Sequence, residues 1–183
     1  DEEDYIKFFK LLNELKIDFL FYIGGNDSMD TVYKLDSYAK EKGIDIKVIG
    51  IPKTVDNDLV ETDHCPGYGS AAKYIATSVM EIARDSRVYD IKNVHIIEVM
   101  GRASGWLAAA SLLASTDKLK TPDYIYVPEI EFSVNQFIED VEKTMEEQKA
   151  VVVVISEGIK DKNDNYIAAD KSTLHDFFGH KKL

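Results

Sequence analysis

Residues 151–155 read Val-Val-Val-Val-Ile, and the polar residues Ser-Glu-Gly follow directly at 156–158. A short run of β-branched residues that is apolar on both faces is typical of a strand in a parallel sheet covered by helices on both sides. Residues 94–99 read Val-His-Ile-Ile-Glu-Val and precede Met-Gly-Arg at 100–102 in the same way. Both stretches therefore predict strands that end in polar loops.

Outward from these strands, short apolar runs alternate with segments of helical periodicity. Further strands are predicted at 17–23, 46–51 and 124–127, and helices at 3–16, 29–42, 70–84, 104–115, 134–148 and 172–178. Ser28 is the predicted N-cap of helix 29–42 and Gly43 its C-terminal glycine, and strand 17–23 is predicted to be buried. This alternation favours parallel pairing through right-handed crossovers. We therefore predict an α/β fold, three-layered and Rossmann-like, with a mostly parallel sheet and helices on both faces, forming one unit over 1–183.

Charge and cysteine content exclude several classes of protein. The 183 residues contain 22 Lys and Arg against 33 Asp and Glu, a net charge of −11, which argues against nucleic acid or an anionic membrane surface as partner. No run of 18 or more apolar residues occurs, so no membrane span is predicted. The single cysteine, Cys65, excludes an internal disulfide and favours a reducing, cytoplasmic compartment.

Two predicted strand ends carry residues suited to phosphate chemistry. Strand 17–23 is followed by Gly-Gly-Asn-Asp-Ser at 24–28, where backbone N–H groups and a helix N-terminus could approach a phosphate. Strand 46–51 is followed by a loop in which Thr54, Asp56 and Asp58 would share one face. Two neighbouring carboxylates raise each other's proton affinity unless a cation intervenes, which suits a general base beside a divalent metal. A solvated turn is the alternative for this pattern.

The other two strand ends add Arg102 and Glu157. An arginine between a glycine and a helix could clamp an anionic group, and a carboxylate could accept hydrogen bonds from a sugar hydroxyl. Each has a simpler reading as a surface or capping residue. Four loops at one sheet edge that carry glycines, cations and a candidate base together indicate phosphoryl transfer.

Several blocks of sequence give the chain a family resemblance. They are 24–28 (GGNDS), 52–58 (PKTVDND), 66–72 (PGYGSAA), 100–102 (MGR) with 105–108 (GWLA), and 156–158 (SEG). In these blocks the chain resembles the phosphofructokinase family, specifically its pyrophosphate-dependent branch. The resemblance implies transfer of a phosphoryl group from pyrophosphate to the 1-hydroxyl of fructose 6-phosphate, with Mg²⁺ as the cofactor.

The resemblance also implies roles for individual residues. Asp56 matches the family's proton acceptor, and Arg102 matches a residue that steadies charge in the transition state. Asp58 resembles a carboxylate that helps to organise metal and phosphate, and Asn26 stands where an aspartate associated with magnesium is more common. The residues that match fructose 6-phosphate contacts are Thr54, Val55, Asp56, Met100, Gly101, Arg102 and Glu157.

Choice of phosphoryl donor depends on Asp27 and Lys53. ATP-using members of the family usually have glycine at both positions, whereas this chain has two charged side chains. The resemblance therefore implies that Gly24, Gly25, Asp27 and Lys53 bind pyrophosphate rather than ATP. An ATP-dependent member and a non-catalytic, sugar-phosphate-binding regulatory subunit are the alternatives, the latter favoured by Asn26 and by Asn93, which replaces a phosphate-binding arginine.

Finally, the resemblance implies further chain on both sides of this one. Family members have a donor-binding loop upstream of Asp1, and the Gly179-His180 motif normally continues into further sugar-phosphate residues. We therefore expect an internal fragment of a larger, cytoplasmic, homo-oligomeric enzyme, inactive by itself.

Overall fold

A computed structural model of the chain describes residues 2–168. The predicted helix 172–178 and the Gly179-His180 motif lie outside the described residues. The elements, in chain order, are α1 (Glu2–Glu14), β1 (Phe19–Gly24), α2 (Asn26–Lys42), β2 (Lys47–Pro52), α3 (Tyr68–Ser86), β3 (Asn93–Val99), α4 (Trp106–Ala110) with a 3₁₀ turn (Ser111–Ala114), β4 (Tyr124–Tyr126), α5 (Val134–Glu147) and β5 (Ala150–Ser156).

All pairings between these strands are parallel, and helices connect them, which confirms the predicted α/β fold class. The strands are hydrogen-bonded in two sheets rather than in the single sheet that the sequence led us to expect: β1 pairs with β2, and β3, β5 and β4 are neighbours in that order. The contacts divide the chain into two compact units, Asp1–Thr54 and a second that begins at Val55. The assignment of 1–183 to one α/β unit remains a prediction.

In the second unit, β5 is covered on both faces, as its sequence predicts. Val152 and Val154 pack against Val79 of α3 and Ala108 of α4. Val151 and Val153 face the opposite way and pack against α5. All four valines are fully buried, so β5 is the centre of a helix–sheet–helix sandwich.

The first unit has helices on one face of its two-stranded sheet. Residues of α1 and α2, including Phe9 and Leu35, form one core with Val48 of β2. The alternate residues of β1 point away from that core, and Phe19, Phe21 and Ile23 are 60%, 59% and 67% exposed. The prediction that strand 17–23 is buried is therefore wrong: on the face toward α1 and α2, Ile17 and Leu20 are only half-buried and Tyr22 is exposed, and no helix within the described residues of this unit covers the other face.

The start of α2 and the course of the predicted helix 104–115 differ from the sequence prediction in ways that the structure explains. Helix α2 begins at Asn26 with the extended residue Gly25 as its N-cap, so Ser28 lies inside the helix and the predicted Ser28 cap is wrong. Gly43, in the left-handed region with φ +66°, ends α2 as predicted. The predicted helix 104–115 is divided, because Ser111 Oγ donates to the carbonyl of Ala108 where α4 tightens into a 3₁₀ turn. None of the helices within residues 2–168 is both long and apolar enough to cross a membrane.

Candidate active site

In the first unit, a tight turn joins the end of β1 to α2. A Cβ atom on Gly24 would lie 2.0 Å from Ser28 Oγ, so only glycine lets the first turn of α2 fold back this closely. Gly25 provides no side chain to cap the helix, and no side-chain cap bond is made there. The N-terminus of α2 therefore presents backbone N–H groups and the positive end of a helix dipole, a combination that favours anions.

Lys53 lies beside this turn. Its backbone N–H donates to the carbonyl of Gly24 at 3.0 Å, which extends the pairing of β1 with β2 by one residue. Its Nζ lies 4.0 Å from the position that a Cβ atom on Gly25 would occupy. The structure therefore brings the Lys53 ammonium to the Gly24-Gly25 turn. Asn26 and then Asp27 follow this turn, in the first turn of α2. The Lys53 ammonium and the positive N-terminal end of α2 both suit an anionic phosphate group.

In the second unit, the ends of β3 and β5 are joined by hydrogen bonds. Glu157 donates its backbone N–H to the carbonyl of Val99 at 2.9 Å, and its Oε1 accepts from the N–H of Gly101 at 3.3 Å. Ser156 Oγ donates to the carbonyl of Gly101. One backbone bond and two side-chain-to-backbone bonds therefore fix the turn that carries Arg102 to the turn that carries Glu157.

Asp56 is half-buried, and its charge interacts with this pair of turns. Burial is the largest cause that raises the pKa of the Asp56 carboxyl above its ordinary value, and the carboxylates of Asp58 and Glu157 raise the pKa further. The Arg102 guanidinium opposes them and lowers the pKa. A half-buried carboxylate with a raised pKa among other charged groups is a candidate proton acceptor in catalysis.

Two residues outside the predicted site, Ser104 and Asn57, hold the backbone at Asp56. Ser104 Oγ donates to the Asp56 carbonyl at 2.8 Å. The buried side chain of Asn57 donates to the Asp63 carbonyl at 3.1 Å and accepts from the N–H of Cys65 at 2.8 Å. An asparagine between two aspartates at a turn was the available signal for Asn57, since asparagine tolerates left-handed backbone. No sequence signal identified Ser104, which lies 48 residues from Asp56.

The other predicted site residues have varied surroundings. Thr54 and Val55 are half-buried, Met100 is exposed, and Asn26 is exposed at the start of α2. Within the second unit, the structure brings together Asp56, Asp58, Arg102, Gly101 and Glu157. Within the first unit it brings together Gly24, Gly25 and Lys53.

The residues of the candidate site offer few ligand groups for Mg²⁺. Within residues 2–168, no three His, Cys, Asp or Glu side chains are grouped so that they could hold a metal by themselves. Mg²⁺ commonly binds through one or two carboxylates together with water and substrate phosphates, so the neighbouring carboxylates of Asp56 and Asp58 fit that mode of binding. The metal roles of Asn26 and Asp58 remain predictions.

Comparison with known proteins decides the family. A sequence model of the family described as phosphofructokinase matches residues 1–181. The chain belongs to the phosphofructokinase family. A pyrophosphate–fructose 6-phosphate 1-phosphotransferase of Xanthomonas campestris pv. campestris is 44% identical over 187 residues, which cover 100% of this chain and 44% of that protein. A sulfofructose kinase of Alkalicoccus urumqiensis is 45% identical over 149 residues, 81% of this chain and 39% of that protein. The chain thus spans less than half the length of these phosphofructokinase relatives.

Solved structures of this family agree with the fold. The pyrophosphate-dependent phosphofructokinase from Marinobacter aquaeolei matches with a TM-score of 0.76 and 44% identity, over 86% of this chain and 41% of that one. The pyrophosphate-dependent phosphofructokinase from Nitrosospira multiformis matches with a TM-score of 0.79 and 38% identity, over 89% of this chain and 42% of that one. The order of strands and helices described above is therefore that of a phosphofructokinase.

Proposed function

We propose that the full-length protein, of which residues 1–183 form one part, transfers a phosphoryl group from pyrophosphate to the 1-hydroxyl of fructose 6-phosphate. The products are fructose 1,6-bisphosphate and orthophosphate, and this is a step of glycolysis. The observation that carries the proposal is the half-buried Asp56, whose pKa is raised first by burial and then by the carboxylates of Asp58 and Glu157, with Arg102 opposing them. Relatives named for this reaction, at up to 44% identity over the whole chain, support it.

On the acceptor side, Asp56 takes the proton of the 1-hydroxyl as that oxygen attacks the transferred phosphorus. The P–O bond to the leaving orthophosphate breaks at the same centre, and the Arg102 guanidinium stabilises the charge that spreads over the phosphoryl oxygens. Fructose 6-phosphate is bound by Asp56, Arg102 and their neighbours in sequence, and the Glu157 carboxylate accepts a hydrogen bond from a sugar hydroxyl. Those neighbours are Thr54, Val55, Met100 and Gly101.

On the donor side, Gly24, Gly25 and Lys53 bind pyrophosphate. The approach of the Lys53 ammonium to the glycine turn supports this assignment, because it adds positive charge to a helix N-terminus that already favours anions. Asp27 excludes ATP, since a carboxylate in the first turn of α2 repels an additional phosphate. Mg²⁺, when bound, neutralises part of the pyrophosphate charge. We assign Asn26 and Asp58 to holding it, Asp58 indirectly.

We also propose that the enzyme is a cytoplasmic homo-oligomer. Cys65, the chain's one cysteine, is buried and unpaired with another cysteine, which suits a reducing compartment. The family resemblance supports oligomerisation, and light scattering of the purified full-length protein measures it. A monomeric mass at assay concentration would contradict this part of the proposal.

Phosphorus NMR of the full-length protein with Mg²⁺ tests the reaction directly. With pyrophosphate and fructose 6-phosphate, we expect the pyrophosphate signal to fall as orthophosphate and a sugar 1-phosphate signal grow in equal amounts. A parallel sample with sulfofructose as the acceptor separates this proposal from the activity named for the Alkalicoccus relative. Phosphorylation of sulfofructose with fructose 6-phosphate left unchanged would overturn the choice of acceptor. Fructose 6-phosphate binding without turnover of any donor would instead indicate a regulatory subunit.

A further inference from the structure

Asn57 closes the loop that follows Asp56. Its side chain is buried, with the residue 6% exposed, although both neighbouring aspartates are more accessible. One amide group makes both of the bonds described above, donating to the Asp63 carbonyl and accepting from the Cys65 N–H. A single side chain thus joins the start of the loop to its end.

The backbone of Asn57 also requires a particular residue type. Its φ of +60° lies in the left-handed region, which most side chains avoid and which asparagine tolerates. Alanine would lose both amide bonds and would also be strained in this conformation. Glycine would lose the same bonds but would adopt the backbone without strain.

The residue before Asn57 is fixed from the opposite side. Ser104 Oγ bonds to the carbonyl of Asp56, so the peptide unit between Asp56 and Asn57 is anchored to the segment that follows Arg102. With the Asn57 side chain bonded to Asp63 and Cys65, the backbone on the C-terminal side of Asp56 is held by two separate sets of hydrogen bonds. Buried, fully bonded polar groups of this kind define one conformation of a loop.

From these contacts we infer that Asn57 is a positioning residue for the proposed reaction, and that its amide holds Asp56 in register with Arg102. The inference rests on the proposed function in one respect, namely that Asp56 accepts the proton. Asn57 is buried and is not assigned a contact with the substrate. Its effect is therefore on the rate of the chemical step, because a displacement of about 1 Å at a reacting group lowers rates by about 100-fold.

The test compares Asn57→Gly with wild type in the full-length protein, since glycine removes the amide while preserving the backbone conformation. We expect kcat to fall by about 100-fold, while calorimetry shows fructose 6-phosphate binding within about threefold of wild type. Hydrogen–deuterium exchange should become faster across residues 58–65, a readout that needs no turnover. The matched control is Gln148→Ala, which removes another side-chain amide of this unit, bonded to Asp123 at 2.8 Å, and should leave kcat unchanged.

A second comparison separates positioning from general stability. In an Asp56→Asn background, Asn57→Gly should lower the residual rate by less than about threefold, because the group that it positions is already absent. A full, additive loss in that background would overturn the inference, and so would wild-type kcat in the single variant. If wild type itself shows no pyrophosphate-dependent turnover, the proposed function fails and not the inference about Asn57. Hydrogen–deuterium exchange across residues 58–65 that is unchanged in Asn57→Gly would refute the role of the Asn57 amide independently of turnover.

Discussion

A Cβ atom added to Gly158 would lie 2.0 Å from the carbonyl oxygen of Arg102. The same atom would lie 2.7 Å from the carbonyl oxygen of Gly101, so residue 158 packs directly against the backbone of the turn after β3. Gly101 itself has φ +133°, a conformation that other residues rarely adopt. Glycines at 101 and 158 thus allow the turns that carry Arg102 and Glu157 to meet backbone to backbone.

Gly158→Ala should therefore displace Arg102 and lower kcat/KM by about 10- to 100-fold in the full-length enzyme. Steady-state kinetics with fructose 6-phosphate measure the loss. Gly69→Ala is the matched control, because Gly69 lies in α3 with nothing within 4 Å of an added Cβ atom. Alanine there should preserve kcat/KM and raise the melting temperature slightly, since it favours helix over glycine. Wild-type kinetics in Gly158→Ala would refute the packing argument.

Asp56→Asn should reduce turnover by about 100- to 10,000-fold, the usual contribution of a general base. Binding of fructose 6-phosphate, measured by calorimetry, should persist because asparagine has nearly the same shape. The same variant should melt at a higher temperature than wild type at pH 7. Asp56 has a raised pKa in the folded state, so its ionisation opposes folding as pH rises from the ordinary aspartate value through the raised one.

The gain in melting temperature should consequently disappear in acid, below the ordinary aspartate pKa of 3.8, where wild-type Asp56 is protonated in both folded and unfolded states. Near wild-type turnover in Asp56→Asn would exclude Asp56 as the base. A lower melting temperature at pH 7 would show that the environment of Asp56 favours its charge.

Asp58→Asn should move the acid limb of the kcat/KM profile to lower pH. The carboxylate of Asp58 is one cause of the raised pKa of Asp56, so removing that negative charge lets Asp56 lose its proton more readily. Initial rates between pH 4 and pH 8 give the midpoint of the limb. Asp90→Asn, which removes an exposed carboxylate paired with Lys149, should leave the midpoint unchanged. A shift of equal size in both variants would show a general effect of net charge.

Lys53→Gly should weaken use of pyrophosphate by about 10- to 100-fold in kcat/KM, the range expected when a charged hydrogen bond is lost. Adding Asp27→Gly should raise activity with ATP, because it removes the repulsion between a carboxylate and a third phosphate. Coupled assays with each donor report both effects. Lys118→Ala removes an exposed lysine of the second unit and should alter neither donor. An ATP rate that stays at background in the double variant would contradict the role of Asp27.

Burial could be predicted from sequence for one strand and could not for another. The strand at 151–155 was predicted correctly on both faces, because four consecutive valines leave no polar face to expose. Strand 17–23 is also mostly apolar, although it contains Asp18, yet Phe19 and Phe21 are exposed. Burial of a face depends on what packs against it, and a strand's own residues do not specify that partner.

In the candidate site, too, some residues could be predicted from sequence and others could not. Asp56, Arg102 and Glu157 were selected because they follow predicted strands and match family motifs. Asn57 and Ser104 were missed because their roles come from contacts formed on folding, over 8 residues from Asn57 to Cys65 and over 48 from Ser104 to Asp56. Ser28 was misassigned as a cap for a related reason, since its hydroxyl packs against Gly24 only after the turn has formed.

The most direct test of the central claim is the ratio of kcat/KM for pyrophosphate to kcat/KM for ATP, measured on the full-length protein with saturating fructose 6-phosphate and Mg²⁺. Lys53 beside the Gly24-Gly25 turn, with Asp27 in the first turn of α2, predicts a ratio far above one. A ratio below one, with ATP turned over efficiently, would contradict the account.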